Sequence, residues 1–440
     1  MLKVAKFGGT SLADAKQFKK VYDIVNSDVE RKYVVVSAPG KRFKDDSKIT
    51  DLLYLTYAHI KYSVPYAPIL KMIEDRLNQI KNDLNLTTDL DREFKTIRET
   101  LDNKCEEDYI VSRGEYLCAL LMSEYLGCDF VDAKDVIAFN YDDTINDEKT
   151  HEKLSEALSN SNRAIIPGFY GSYPDGRIKT FSRGGSDITG AIVSNVMAVD
   201  IYENWTDVSG FLTADPKIVE NPKQIKQITY QELRELSYMG ASVLHEEAVF
   251  PVRQAGIPIN IKNTNEPENP GTLIISDDQA GDDYADGDII TGIAGKKDFS
   301  FFYISKVHMA NEVGIIKKAL EVFEERGISI AHIPSGIDNF TIVLPSSSVE
   351  NVSHQIVEEL KEKCKTENVQ VLRHISLITT VGIKMAYQPG VSAKLFTALG
   401  NKNINIRMID QGSSEINIIV AVEDKDFEEA IRAIYGAFIK

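Results

Sequence analysis

Cysteine is scarce in this chain: four residues in 440, at positions 105, 118, 128 and 364, with none of the close spacing of a zinc site or a CxxC redox centre. A reduced, cytosolic chain is expected, with no resident metal ligands. Long apolar runs are also absent, since no stretch approaches the roughly 18 uncharged residues that span a bilayer. The opening MLKVAKFGGTS lacks the apolar core of a signal peptide. Neither export nor a membrane partner is expected. Positive charge is in deficit, 50 basic against 66 acidic residues for a net −16. Such a surface does not gather nucleic-acid phosphates, so an anionic substrate must be held by a few local cations.

What is present is an ordinary globular composition, 43% apolar and 26% charged, in a length that suggests two to four domains. Short apolar runs at 2–6, 33–38, 164–166 and 200–202 read as buried strands separated by helical stretches, which points to an α/β sheet. Residues 47–126 are helix-periodic for longer than one crossover needs, and read as a helical insertion covering one end of that sheet. Residues 276–288 hold six Asp and no aliphatic side chain larger than Ala, so they read as a linker. Beyond it the chain repeats. Gly314, Ile328, Ile330 and Gly336 match Gly390, Ile404, Ile406 and Gly412, all at an offset of 76. The first copy reads βαββαβ: strand 300–306, helix 314–326, strands 328–334 and 340–344, helix 350–364, strand 368–374. The second reads strand 377–385, helix 390–401, strands 404–409 and 415–422, and helix 426–438, and lacks its last strand. The apolar segment IITGIAG at 289–295 can fill that empty edge. The expected division is 1–275, an acidic linker 276–288, a strand 289–298 completing the second module, a first module 299–375 and a second 376–440.

Three motifs carry chemistry. Lys6-Phe7-Gly8-Gly9-Thr10-Ser11 follows the first strand; two glycines let backbone N–H groups approach a phosphate and the lysine adds a cation, although an ordinary Gly-Gly turn reads the same way. Ser182-Arg183-Gly184-Gly185-Ser186-Asp187 opens a helix. Arg183 offers a fork for a carboxylate, and Asp187 can orient a lysine or a magnesium-bound water, or simply cap the helix. Trp205 to Pro216 places hydroxyls and carboxylates after a buried strand, enough to line a nucleotide pocket or to form a plain loop.

In this order the three motifs resemble the aspartokinase branch of the amino acid kinase family, whose patterns are KFGGTS, GRGGSD and TDVDGVYTADPR. The likeness extends through Gly240 to His245 and Ile261 to Leu273, and includes two C-terminal ACT modules. It implies an amino-acid-kinase-like α/β sheet with helices on both faces, followed by tandem ACT-like modules. It implies ATP and Mg2+ as cofactors, and phosphorylation of the L-aspartate 4-carboxylate, the first step towards lysine, threonine and methionine. Carried over by position, Lys6 and Asp187 would be catalytic, and Gly8, Gly9, Ser11, Thr206, Asp207, Asp215 and Lys217 would meet nucleotide. Thr50, Glu115, Arg183 and Ser186 would hold aspartate, with the Glu115 carboxylate on its ammonium, unless Glu115 merely begins a helix as a dipole partner. Lysine, with or without threonine, would inhibit at Met309, Val313, Gly314, Ile315, Ser335 and Asp338, and a homodimer through the ACT modules is implied. No homoserine dehydrogenase domain is expected after Lys440.

The chain departs from the family pattern in four places: the charged loop Pro39 to Asp46 replaces a short Gly-Val stretch, Ser182 replaces glycine, Lys217 replaces arginine, and Ser242 replaces lysine. A carboxylate with a pKa of about 3.9 is ionised at neutral pH, so no general base is needed and none of the seven histidines is assigned one. Trp205, the single tryptophan, would report nucleotide by its fluorescence. The competing readings are another amino acid kinase and a non-catalytic amino acid sensor that keeps the fold.

Overall fold

Runs such as Tyr33-Val34-Val35-Val36 and Ala164-Ile165-Ile166 are apolar on both sides, as strands covered by helices on both faces must be. The computed structural model describes residues 1–103, 105–182, 184–240, 244, 250–280, 288–366 and 368–439. They form two compact units, one of Met1–Phe211, Lys226–Tyr230 and Val243–Asp282, the other of Leu212–Ile225, Gln231–Ser242 and Asp283–Lys440. Residues 212–225 and 231–240 group with the second unit. Ala214 and Val219 lie in its apolar core.

The strands of the first unit are β1 (Lys3–Phe7), β2 (Arg31–Val36), β3 (Asp129–Phe130), β4 (Ala164–Pro167), β5 (Tyr170–Ser172), β6 (Ile178–Thr180), β7 (Ile201–Thr206), β8 (Gln227–Thr229), β9 (Ile259–Asn263) and β10 (Thr272–Ile275). Eight of them make one sheet in the order β3-β4-β2-β1-β7-β9-β10-β8, while β5 and β6 form a separate ribbon. From β3 to β9 every pairing is parallel. The helices are α1 (Ala15–Asn26), α2 (Ile49–Lys61), α3 (Ala67–Asp83), α4 (Leu90–Asp102), α5 (Glu107–Leu126), α6 (Ala133–Val136), α7 (Asp147–Ser159), α8 (Gly185–Val196), α9 (Tyr230–Tyr238), which runs on into the second unit, and α10 (Phe250–Gln254). In α1, Phe18, Val21, Ile24 and Val25 recur at helical spacing and are buried, and Asp14 caps the start by accepting from the Gln17 N–H. None of the described helices is long and apolar enough to cross a membrane.

Side chains alternate across the sheet. Ala5 and Phe7 of β1 share a face with Trp205 of β7, and this face is covered by α1 together with α2 to α5. The helical insertion therefore covers a face of the sheet rather than its end, because its apolar stripes continue the α1 core. Lys6 and Asn204, paired in register, lie on the opposite face, under α8.

The second unit holds β11 (Gly292–Ser305), α11 (Ile315–Glu324), β12 (Asn339–Pro345), α12 (Ser353–Cys364), β13 (Asn368–Val381), α13 (Val391–Gly400), β14 (Met408–Asp410), β15 (Asn417–Glu423) and α14 (Phe427–Phe438), in a sheet of order β12-β11-β13-β15-β14. Strands read separately from sequence are continuous here. Gly292 to Lys296 pair with Leu377 to Val381, whereas Phe301 to Ser305 pair with Asn368 to Leu372 and with β12. One strand pair thus runs through both repeats, with register shifts where they meet. The expected strand 328–334 is not regular. Ala331 and His332 both oppose Val343, a bulge, and Pro334 has no N–H to donate, so only isolated bridges form. The strand expected at 404–409 shortens to β14, and residues 383–387 form a tight helical turn instead of extending the strand before them.

Between β2 and β7 lies a buried ion pair. Arg31 donates from Nε to Glu203 Oε2 at 2.7 Å and from Nη2 to Oε1 at 3.2 Å, and the Trp205 indole N–H donates to the same carboxylate at 2.9 Å. Removing the carboxylate leaves a buried guanidinium uncompensated. Glu203→Ala should therefore lower folding stability by about 3–5 kcal/mol, read as a drop in the urea midpoint, whereas an unchanged midpoint would show the pair to be dispensable.

Candidate active site

The parallel strands β1, β2, β4 and β7 end at the same edge, where the crevice of an open α/β sheet forms. From there the chain leads into Gly8-Gly9, Ser37 to Gly40, Gly168, and Thr206-Asp207. Phe7 O accepts from Ser37 N, Val36 O from Gly168 N, and Trp205 O from Gly8 N, so the loops are tied strand to strand. Two helices, α2 and α8, begin at this edge with their free N–H groups facing it.

Lys6 is 7% exposed. Its Nζ lies 2.6 Å from Asp187 Oδ1, with Asn204 Oδ1 at 3.5 Å. Asn204 Nδ2 donates to the same Asp187 oxygen at 2.7 Å, so the carboxylate is aimed by one strand and paired by the next. Asp187 is the third residue of α8, in its first turn. Gly8 leaves the space before the ammonium open, since a Cβ there would stand 3.8 Å from Lys6 Nζ. Gly9 and Gly40 touch backbone to backbone. Gly40 N donates to Gly9 O at 2.7 Å, and a Cβ on Gly40 would come within 2.5 Å of the Gly9 carbonyl carbon. Ser11 is buried behind this loop, its hydroxyl 2.7 Å from that of Thr264.

Glu115 is 4% exposed and is the ninth residue of α5, so the reading of it as a helix-start residue is corrected: α5 begins at Glu107. Gly114 allows this, because a Cβ there would press within 2.8 Å of Ala38 Cβ and 3.1 Å of Leu53. The close approach brings Glu115 to the Ala38 N–H, beside the start of α2. Its Oε2 is buried and has no hydrogen-bond partner among the described residues. Burial raises its pKa to about 8, against the pull of the Ala38 N–H and of Arg113. A buried carboxylate with one unused oxygen is a ready receptor for a cation.

Thr50 is the second residue of α2, half-buried, and Ser186 is the second of α8, buried against the Gly168 backbone. Thr206 ends β7 and its hydroxyl donates to the exposed Asp207 at 3.2 Å. Asp215 and Lys217 belong to the second unit, both exposed, with Asp215 Oδ1 accepting from Lys217 N at 2.8 Å. Arg183, Ser242 and His245 lie outside the described residues. The first unit thus gathers Lys6 on β1, Gly8 and Gly9 on the loop after it, Thr50, Ser186 and Asp187 at helix starts, and Glu115 inside α5. Asn204 was missed from sequence; its signal is an amide buried inside a strand, at the register of Lys6. Trp205 is 1% exposed on the other face, stacked on Phe7 at 5.9 Å with Arg31 over its ring. It is therefore no part of the Lys6 crevice.

In the second unit, Met309 is buried in a turn, Gly314 precedes α11 with φ of +82°, and Ile315 is the first, buried residue of that helix. Val313, Ser335 and Asp338 are exposed, and Asp338 O accepts from Lys306 N, which joins the two loops. Among the described residues, Asp298, His374 and Asp424 of this unit are the three potential metal ligands that converge.

The amino acid kinase family model matches residues 1–263, and an ACT domain model matches 378–438. The chain is 38% identical to aspartokinase 3 of Bacillus subtilis over 453 residues, covering 99% of this chain and 98% of that one. It is similar to the crystal structure of aspartate kinase from Clostridium acetobutylicum, with a TM-score of 0.93 and 49% identity over 99% of each chain. Escherichia coli aspartokinase III, solved with aspartate and ADP and with lysine and aspartate, shares the fold at TM-scores of 0.73 and 0.75, with 24% identity over 100% of both chains.

Glu115 makes a checkable prediction. The unfolded chain ionises it near 4.5 and the folded chain near 8, so between these values the unfolded state holds fewer protons. Its contribution to stability is lost as pH rises from about 4.5 and levels off above about 8. In Glu115→Gln this loss disappears, so the variant's unfolding midpoint should climb relative to wild type across that window. A pH-independent difference would show a carboxylate already ionised throughout.

Proposed function

Because this chain belongs to the amino acid kinase family, among its aspartokinases, we propose that it transfers the γ-phosphoryl group of ATP to the 4-carboxylate of L-aspartate, yielding ADP and 4-phospho-L-aspartate. It is a phosphotransferase by family. The observation that carries the choice of substrate is Glu115, a buried carboxylate with an unused oxygen at the same sheet edge as Lys6. A substrate with an ammonium group and a nearby acceptor carboxylate satisfies both.

The substrate carboxylate is ionised at neutral pH and needs no base. One of its oxygens attacks the γ-phosphorus, the bond to the β,γ-bridging oxygen breaks, and the electron pair leaves with ADP. The obstacle is bringing one anion onto another, which fixed cations and aligned N–H groups relieve. Lys6 supplies the cation, and Asp187 with Asn204 holds the ammonium in place before nucleotide arrives. Gly8 and Gly9 admit the phosphates, and Thr206 and Asp207 border the nucleotide. Mg2+ prefers hard oxygen donors; Asp207 offers one, and the ion supplies charge neutralisation on the phosphates. Ser186, Thr50 and Arg183 complete the hold on aspartate, with Arg183 on its α-carboxylate. Asp215 and Lys217 are proposed as further nucleotide contacts.

The C-terminal segments 299–375 and 376–440, with 289–298 as the closing strand of the second and 276–288 as linker, are proposed as two ACT modules behind a catalytic region 1–275. Lysine, with or without threonine, is the proposed inhibitor, acting at Met309, Val313, Gly314, Ile315, Ser335 and Asp338. Val313 is 97% exposed, and with exposed Val307 and Ile337 it supports a homodimer formed through this module. The proposed setting is the cytoplasm, in the pathway to lysine, threonine and methionine.

Lys6→Ala should lower kcat about 100-fold or more with a modest change in the KM for aspartate, and a variant of near wild-type kcat would sink the assignment. Glu115→Gln should raise aspartate KM about 10- to 100-fold and leave ATP KM nearly unchanged. Equal effects on both substrates would point instead to a folding role.

Lysine should inhibit the full-length enzyme, and Asp338→Ala should weaken that inhibition at unchanged uninhibited kcat. Insensitivity of the wild type to lysine and to threonine would refute the sensor role of the tail.

A further inference from the structure

The loop between β2 and α2 carries Lys41, Arg42, Lys44, Asp45, Asp46 and Lys48. Asp46 organises it internally, accepting from Arg42 N at 3.0 Å, Nε at 2.8 Å and Nη2 at 3.0 Å. A second arginine enters from outside the loop. Arg76 stands in the middle of α3, within the helical insertion, and is 5% exposed. Its Nη1 donates to Ser47 O at 2.7 Å and lies 3.5 Å from Asp46. Its Nη2 donates to Ala13 O at 3.2 Å and to Gly40 O. The reaction described above makes no use of it.

These three carbonyls belong to the three segments on which the site depends. Ala13 follows the turn Gly9–Leu12 that closes the glycine loop. Gly40 is the residue whose N–H donates to Gly9 O, so its two sides link Arg76 to the phosphate loop. Ser47 precedes Lys48, the residue before α2, and Thr50 lies three positions on. Loop carbonyls facing a buried helix need a donor, and a planar fork with five N–H groups can serve several at fixed angles. A lysine ammonium, a compact point charge on a flexible stem, cannot hold the same three directions as rigidly.

We propose that Arg76 is a positioning residue for phosphoryl transfer, holding the glycine loop and the start of α2 at the separation that brings phosphate and aspartate together. This rests on the phosphotransfer reading above. It also explains the charged loop that distinguishes this chain from the family's short Gly-Val stretch: its carbonyls are arranged around an arginine from the insertion.

The test uses the full-length protein with Arg76→Gln, Arg76→Lys and Arg76→Ala. The glutamine and lysine variants should both lose about 100-fold in kcat/KM for aspartate, as displaced reacting groups do. Millimolar free guanidinium should restore part of the activity of Arg76→Ala, a rescue that a merely weakened fold does not show. Hydrogen exchange should quicken at the amides of Gly40 and Ile49 and stay unchanged in β7. If the glutamine variant does not fold, Arg76→Lys carries the test. Wild-type kinetics in either variant, or absence of rescue, would overturn the proposal. Should the wild type fail to phosphorylate aspartate, the functional reading falls, and hydrogen exchange still decides the brace: unchanged protection at Gly40 and Ile49 overturns it.

Discussion

An ammonium group taken out of water must be given a counter-charge, and Lys6 is taken out of water on a central strand of an eight-stranded sheet. Its partner Asp187 comes from the first turn of α8, and the amide that aims this carboxylate comes from Asn204 on β7. The requirement ties together a strand at the N-terminus, a strand about 200 residues later and a helix start between them. On the opposite face β2 and β7 are tied across β1 by the second buried charge pair, Arg31 with Glu203. Register between β1, β2 and β7 is thus set by charge on both faces, and a slip of one residue would unpair all of it.

From this fixed frame the loops acquire their roles. The Gly9–Gly40 contact brings the ends of β1 and β2 closer than side chains would allow, and Gly114 does the same for α5 against Ala38. The close approach places a carboxylate of raised pKa beside the Ala38 N–H and the start of α2. In the proposed reaction the Lys6 ammonium, paired with Asp187, would be held in position before phosphate arrives, leaving little reorganisation for the transfer itself.

The second unit shows how repetition and continuity combine. The two repeats share the long strands β11 and β13, so neither has a sheet of its own. A shared strand pair couples their packing: the apolar cores on the two halves, one around Phe302 and Phe323, the other around Leu395 and Ile434, hang on the same backbone ladder.

Much of this was legible in the chain itself. Apolar runs marked β1, β2, β4 and β7, the offset of 76 exposed the repeat, and the motifs at Lys6 and Asp187 named the crevice, because strand alternation, helical spacing and glycine turns are local properties. What the chain alone left open depends on distance across the fold. Glu115 looked like a helix start until α5 proved to begin at Glu107, and Trp205 looked like a nucleotide contact until pleat and register turned it to the other face. The break in the expected strand at 328–334 came from a bulge whose partner, Val343, lies beyond a turn. Asn204 and Arg76 carry no motif, since an amide in a strand and an arginine in a polar helix are common. Only when tertiary packing buried them against Lys6 and against three loop carbonyls did their donors have to be used, and burial is a property of the whole fold, not of any window of sequence.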